Sequence, residues 1–243
     1  MDSNRVRLVL SRLVRAVGNK RIFALIWRIR VGGLLLAALS IWGFAQIADE
    51  VLEKESQAFD TRILLAIERI HTPLLDRVML GITFIGDPTV LLIICLGFGI
   101  WLLKQGRRAT TTTLGVAAVG AIVLNFLLKN LFGRARPELW NRIVDVGYYS
   151  FPSGHAMVSL VIYGLLGYIL STQFPRARKF ILCLTAILVA AIGFSRLYLG
   201  VHWPTDVAAG YAAGLVWLIA CISSLKVWRK YRSARQRRLN GSK

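Results

Sequence analysis

Apolar residues come in long uninterrupted blocks, separated by short polar stretches that are mostly basic. Six blocks stand out, at residues 31–48, 88–103, 109–128, 154–170, 180–194 and 207–225. A run of about 18 apolar residues reads as a membrane-spanning helix. The second, fourth and fifth blocks are short and need flanking residues, or a locally thin bilayer, to cross about 30 Å of hydrocarbon. Residues 74–85 are also apolar but are broken by Asp76 and Arg77, which predicts an interfacial or re-entrant segment before the second span. Backbone exposed to lipid must satisfy its own hydrogen bonds. The pattern therefore predicts an all-α integral membrane protein, a bundle of six transmembrane helices.

Charge then orients the bundle. The 243 residues carry a net charge of +19, with 56% hydrophobic and only 18% charged residues. Such basicity could suggest a nucleic-acid partner, but its distribution argues otherwise. Residues 1–30, the loops at 104–108 and 171–179, and the tail from 226 hold 22 basic residues against one acid, Asp2. The opposite loops hold 9 basic and 11 acidic residues. Basic residues favour the cytoplasmic side, so both termini are expected in the cytoplasm and no nucleic-acid partner is expected. The organisation predicted is a basic cytoplasmic segment at 1–30, a six-span domain at 31–225 and a basic, frayed cytoplasmic tail at 226–243. Trp27, Trp101 and Trp228 fall at the inner ends of spans, and Trp140 and Trp203 at the outer edge, as an aromatic belt would have them.

The remaining features add less. Val6, Leu10, Leu13 and Val17 form one helical stripe among arginines. That suits an interfacial helix on anionic lipid, or equally chance periodicity within an inside-positive segment. The first span is expected to be an uncleaved anchor, because no small-x-small cleavage site follows it. Cys95, Cys183 and Cys221 lie within spans and read as small buried apolar residues. His71, in the acidic first outer loop, is expected to face water or headgroups. Tyr148, Tyr149 and Phe151 read as an interfacial aromatic cluster.

Three polar clusters lie at the ends of spans on the predicted outer face. The first runs from Lys129 to Arg136-Pro137, the second is Pro152-Ser153-Gly154-His155, and the third runs from Ser195-Arg196 to His202 and Asp206. All three can reach one site although they are far apart in sequence. Ser153 is a good helix N-cap. The unpaired N–H groups behind it suit an anion, and Gly154 lets backbone approach a ligand closely. Lys129, Arg136 and Arg196 add three cations, and arginine's planar fork matches phosphate oxygens. With a helix starting near Pro204, His202 and Asp206 lie one turn apart. A carboxylate on Nδ1–H then fixes the tautomer and leaves Nε2 free to attack. His155, at the start of the phosphate-facing helix, can protonate a leaving oxygen.

These clusters resemble the signature of the type-2 phosphatidic acid phosphatase family, Lys-x6-Arg-Pro, Pro-Ser-Gly-His and Ser-Arg-x5-His-x3-Asp, with every fixed position and internal spacing present. The resemblance implies His202 as the nucleophile forming a phosphohistidine, Asp206 as its orienting acid and His155 as general acid. It implies Lys129, Arg136, Ser153, Gly154 and Arg196 as the phosphate-binding set, with no metal and no cofactor. The implied substrate is a lipid phosphomonoester or diphosphate, phosphatidate-like or an isoprenyl diphosphate. The implied setting is a bacterial inner membrane with the site on its extracytoplasmic side. The alternatives are a lipid phosphotransferase, a vanadate-dependent peroxidase, and a transporter or scaffold without enzymatic activity. Taken singly, basic residues at span ends are interface anchors, and the His202/Asp206 pair could be structural or, with His155, hold a metal. Oligomeric state has no signature in the sequence.

Overall fold

The structure is a computed structural model that describes residues 31–140, 144, 146–147 and 149–240, with side chains to 231 in the last helix. The expected interfacial helix at 5–17, Trp27 and Tyr148 lie outside the described residues. The described chain is helical and contains no strand. The helices are α1 (Val31–Leu52), α2 (Gln57–Glu68), α3 (Pro73–Ile85), α4 (Pro88–Lys104), α5 (Arg108–Phe132), α6 (Gly154–Gln173), α7 (Arg178–Tyr198) and α8 (Pro204–Asn240). A single 3₁₀ turn, Pro175–Ala177, leads into α7. The chain divides into two units after Leu39. In the first, residues 31–39 are helical.

Among the described residues, five helices are long and apolar enough to cross a membrane, or six when α3 and α4 count as one bent span. The segment expected to be interfacial or re-entrant forms helix α3, set at 48° to α4, in a pair that reads as a broken span or a re-entrant loop. Local chemistry makes that break. Pro73 and Pro88 each occupy a first helical turn, where a missing N–H costs nothing. Thr72 caps α3 by accepting from Leu75 N–H at 3.2 Å, and Asp87 caps α4 by accepting from Thr89 N–H at 2.8 Å.

The second unit is built around α6, whose apolar face meets α4, α5 and α8 in one core that includes Leu91, Leu114, Ala121, Ile162, Leu165 and Leu218. Tight packing of α8 on α6 rests on a small-xxx-small pair. A Cβ on Gly210 would stand 2.7 Å from Ser153 O, and one on Gly214 would stand 2.9 Å from Met157 O. Such pairs let helix backbones touch where no hydrophobic driving force separates helix from lipid. A second cluster joins α2, α3 and the end of α7 around Ile67, Met79, Tyr198 and Leu199. A third packs Phe151 and Ala209 against Ala48 and Val51 of α1. Outward-facing Ile93, Val119, Phe126, Leu131, Phe180 and Ile187 are exposed, as lipid-facing positions should be.

Four local expectations change. The tail is helical rather than frayed as far as Asn240, where α8 ends, because Ala, Arg, Gln and Leu in that stretch are good helix formers. Trp203 is buried rather than in the belt, and its Nε1–H donates to Ala135 O at 3.0 Å. His71 stacks on Tyr198 at 4.0 Å with a buried Nε2, rather than facing water. Cys183 is exposed on α7, whereas Cys95 and Cys221 are buried.

Candidate active site

Where α5 and α7 end and α6 and α8 begin, the bundle gathers all three polar clusters. Ser153 caps α6, its Oγ accepting from Ala156 N–H at 3.5 Å, while its own N–H donates to Asp206 O at 2.9 Å. That second bond ties the start of α6 to the start of α8. Gly154 is required by space: a Cβ there would lie 2.9 Å from Asn125 Oδ1. Asn125, buried on α5 one turn before Lys129, donates from Nδ2 to Pro152 O at 3.2 Å. Asn125 therefore holds the Pro152-Ser153-Gly154 turn, and the sequence reading did not single it out.

The cations converge from three elements. Lys129 Nζ donates to Tyr149 O at 2.9 Å, and Arg136 Nη2 donates to the same oxygen at 3.3 Å. Arg136 Nη1 donates to Val201 O at 2.6 Å and lies 3.3 Å from His202 Nε2. Arg196 comes from the last turn of α7 and is buried. Its Nη1 donates to Thr83 Oγ1 at 2.6 Å, and its Nε–H is a buried donor with no protein acceptor. A buried N–H group normally finds an acceptor, and a phosphoryl oxygen would supply one.

His202 sits in the short turn between α7 and α8 and is almost fully buried. Its Nδ1 faces Asp206 Oδ2 at 3.3 Å. The same carboxylate oxygen accepts from Trp203 N–H at 2.9 Å, which fixes its position. With Nδ1 protonated, Nε2 carries the lone pair and faces Arg136. Burial, and then the charges of Arg196, Arg136 and Lys129, push the His202 pKa well below the ordinary imidazole value of 6.5. That shift favours the neutral ring. His155, in the first turn of α6, lies within electrostatic reach of Arg196, His202 and Lys129. Its Cδ2 would be 3.4 Å from a Cβ on Gly86, so the α3–α4 break forms the wall beside it.

The structure thus brings Lys129, Arg136, Ser153, Gly154, His155, Arg196, His202 and Asp206 to one end of the bundle. Among the described residues, no three His, Cys, Asp or Glu side chains gather as a metal site requires. Two further residues belong to the site's framework. Arg134 Nη1 donates to Asp206 Oδ1 at 2.8 Å, and Arg134 Nη2 donates to Asp60 Oδ2 at 2.8 Å. Beside the site is a cavity of about 660 Å³. Its lining is mixed, with Lys54, Gln57, Arg136 and Glu138 against Val51, Leu52, Phe132 and Trp203.

Known proteins resemble this chain in sequence and in fold. A family model described as the PAP2 superfamily matches residues 109–230, half of the chain. Phosphatidylglycerophosphatase B of Bacillus subtilis (strain 168) is 32% identical over 189 residues, covering 75% of this chain and 86% of that protein. An undecaprenyl-diphosphatase of Sulfolobus acidocaldarius is 33% identical over 121 residues, covering 46% of this chain and 54% of that protein. The crystal structure of the first transmembrane PAP2 type phosphatidylglycerolphosphate phosphatase from Bacillus subtilis superposes with a TM-score of 0.71 at 28% identity, covering 77% of this chain and 94% of that one. Motif spacing, family match and shared fold converge, and the chain belongs to the PAP2 superfamily.

Proposed function

We propose that the chain is a multi-pass membrane lipid phosphatase that works through a phosphohistidine at His202. The observation that carries this reading is the setting of the His202 ring, with Asp206 on Nδ1 and a guanidinium at Nε2. In this reading the phosphoryl oxygens are held by Lys129, Arg136, Arg196 and the first N–H groups of α6. Those donors stabilise the charge that spreads over the oxygens during transfer. Nε2 attacks phosphorus, the bond from phosphorus to the leaving oxygen breaks, and His155 gives that oxygen a proton. His155, now neutral, then takes a proton from water as the water attacks phosphorus. The P–N bond breaks and inorganic phosphate leaves.

The substrate in this reading is a lipid phosphomonoester, with phosphatidylglycerophosphate the first to test. The relative that acts on it, by its name, aligns over 86% of its own length. An isoprenyl diphosphate is the second class, after the archaeal relative. The mixed cavity between the end of α1 and the loop after α5 suits an amphiphile, with polar groups toward Arg136 and apolar ones along Val51, Leu52 and Phe132. Six spans with both termini in the cytoplasm follow from counting α3–α4 as one span and from the charge asymmetry of the loops. The site then opens on the extracytoplasmic face.

The test is phosphate release by detergent-purified protein from phosphatidylglycerophosphate, phosphatidate, an isoprenyl diphosphate and a soluble phosphate ester. EDTA is present throughout, and His202→Ala is the blank. EDTA-resistant release from one lipid, absent in the variant, is expected. Equal release by the variant overturns the reading.

A further inference from the structure

Asp60 lies on α2, well outside residues 109–230 that the family model matches, and its side chain is fully buried. Burying a carboxylate costs several kcal/mol unless it is well partnered. Its side chain is held by Arg134 and Thr205. Oδ2 accepts from Arg134 Nη2 at 2.8 Å and from Thr205 Oγ1 at 2.6 Å, and Oδ1 accepts from Thr205 N–H at 3.0 Å. Arg134 Nη1 donates in turn to Asp206 Oδ1 at 2.8 Å, and Asp206 Oδ2 faces His202 Nδ1 at 3.3 Å. Four side chains thus form one line from α2 to the imidazole.

Charge gives this line its meaning. A guanidinium bound to Asp206 on its own would draw the carboxylate's charge away from the ring. His202 already stands among three cations, Lys129, Arg136 and Arg196. Asp60 restores the balance, because two carboxylates sharing one guanidinium leave a net negative charge behind the ring. As Nε2 bonds to phosphorus, the imidazole becomes positive, and that negative charge stabilises it.

We propose that Asp60, acting through Arg134, is a positioning residue of the phosphatase reaction: it holds Arg134 against Asp206 and keeps the charge behind His202 net negative while the ring is phosphorylated. The proposal rests on the reading of His202 as nucleophile. It has a sign that simple bracing of α2 lacks. Removing the Asp60 charge makes the site more positive, so anions bind as well or better while attack slows. Loosening a brace weakens both.

The experiment compares full-length wild type, D60N, D60E, T205V and H202A in detergent, with phosphatidylglycerophosphate as substrate and orthovanadate as a phosphate-like inhibitor. For D60N we expect kcat to fall about 10- to 100-fold, with KM and the vanadate Ki unchanged or lower. D60E should recover at least part of kcat. T205V loses hydrogen bonds to Asp60 and Arg134 but no charge, and should stay within about threefold of wild type in kcat. The proposal is overturned by a D60N kcat within threefold of wild type, by KM and Ki rising as kcat falls, or by T205V falling as far as D60N. Should D60N not fold, D60N/R134Q decides, because it removes the pair as a unit and leaves Asp206 unopposed. A double variant within about tenfold of wild type supports the charge role, and one more than about 100-fold down with vanadate binding intact overturns it. An active H202A removes the nucleophile reading and this proposal together. A dead H202A beside an unimpaired D60N removes only this one.

Discussion

Lys129 and Arg136, seven residues apart, end on the same carbonyl oxygen, that of Tyr149, at 2.9 and 3.3 Å. One cation comes from the last turn of α5 and the other from the loop that follows it. Gly133 makes this turn-back possible: with φ of 58° it ends α5 in the left-handed conformation, and its N–H returns to Lys129 O at 3.0 Å. The two heads thereby face one point although the chain reverses between them.

In the proposed mechanism, loss of either cation removes a donor to the phosphoryl oxygens. Lys129→Met and Arg136→Met are expected to lower kcat/KM by about 10²- to 10³-fold, as loss of one preorganised donor does. Vanadate inhibition should weaken in parallel. Steady-state kinetics on purified variants checks this, and an unchanged vanadate Ki would contradict it.

Asp206→Asn keeps the shape of the pair but can present an amide N–H to Nδ1, which favours the wrong tautomer. The expected loss in kcat is about 10³- to 10⁴-fold, by analogy with an orienting carboxylate in hydrolase triads. Binding of substrate, read as KM, should change far less. A loss confined to KM would assign Asp206 a binding role instead.

The His202 pKa is pushed well below 6.5 by burial first, and then by Arg196, Arg136 and Lys129. In the proposed mechanism the attacking ring must be neutral, so a lowered pKa extends the active form toward acid. The acid limb of kcat/KM, after correction for the substrate's own phosphate ionisation, is therefore expected below pH 6.5. A limb at or above 6.5 that disappears when His202 is bypassed by a different nucleophile would contradict the assignment.

Gly154→Ala places a methyl 2.9 Å from Asn125 Oδ1. The amide also holds Pro152 O, so it cannot move freely. A destabilisation of about 1–3 kcal/mol is expected, seen as a lower Tm. Asn125→Ala in the same chain should return part of the lost Tm. A double variant no more stable than Gly154→Ala alone would show that the contact is not the cause.

Much of the site was legible in the sequence because its residues interrupt apolar blocks at their ends. Lys129, Ser153, Arg196 and His202 are polar at or beside the ends of spans, and the four-residue spacing of His202 and Asp206 follows from one helical turn. Asp60 was not legible in this way. It sits just after Asp49, Glu50, Glu53 and Glu55, and looks like one more acid in an acidic loop. A signal was nevertheless present, since Asp60, Leu64 and Ile67 share one helical stripe and all three are buried. A charge on an apolar stripe asks for a partner. Arg134 was hidden differently, among the unspecified positions between Lys129 and Arg136. The bend between α3 and α4 came from Pro88 capped by Asp87, which hydropathy alone reads as the simple start of a span.

Chemical trapping at His202 tests the central claim most directly. Purified protein is mixed with phosphatidylglycerophosphate labelled in its terminal phosphate, quenched in alkali within milliseconds and digested. The expected result is label on the peptide that carries His202, stable to alkali and lost in acid, and absent from His202→Ala. Turnover by the wild type with no labelled peptide, or with label on another side chain, would contradict the phosphohistidine account.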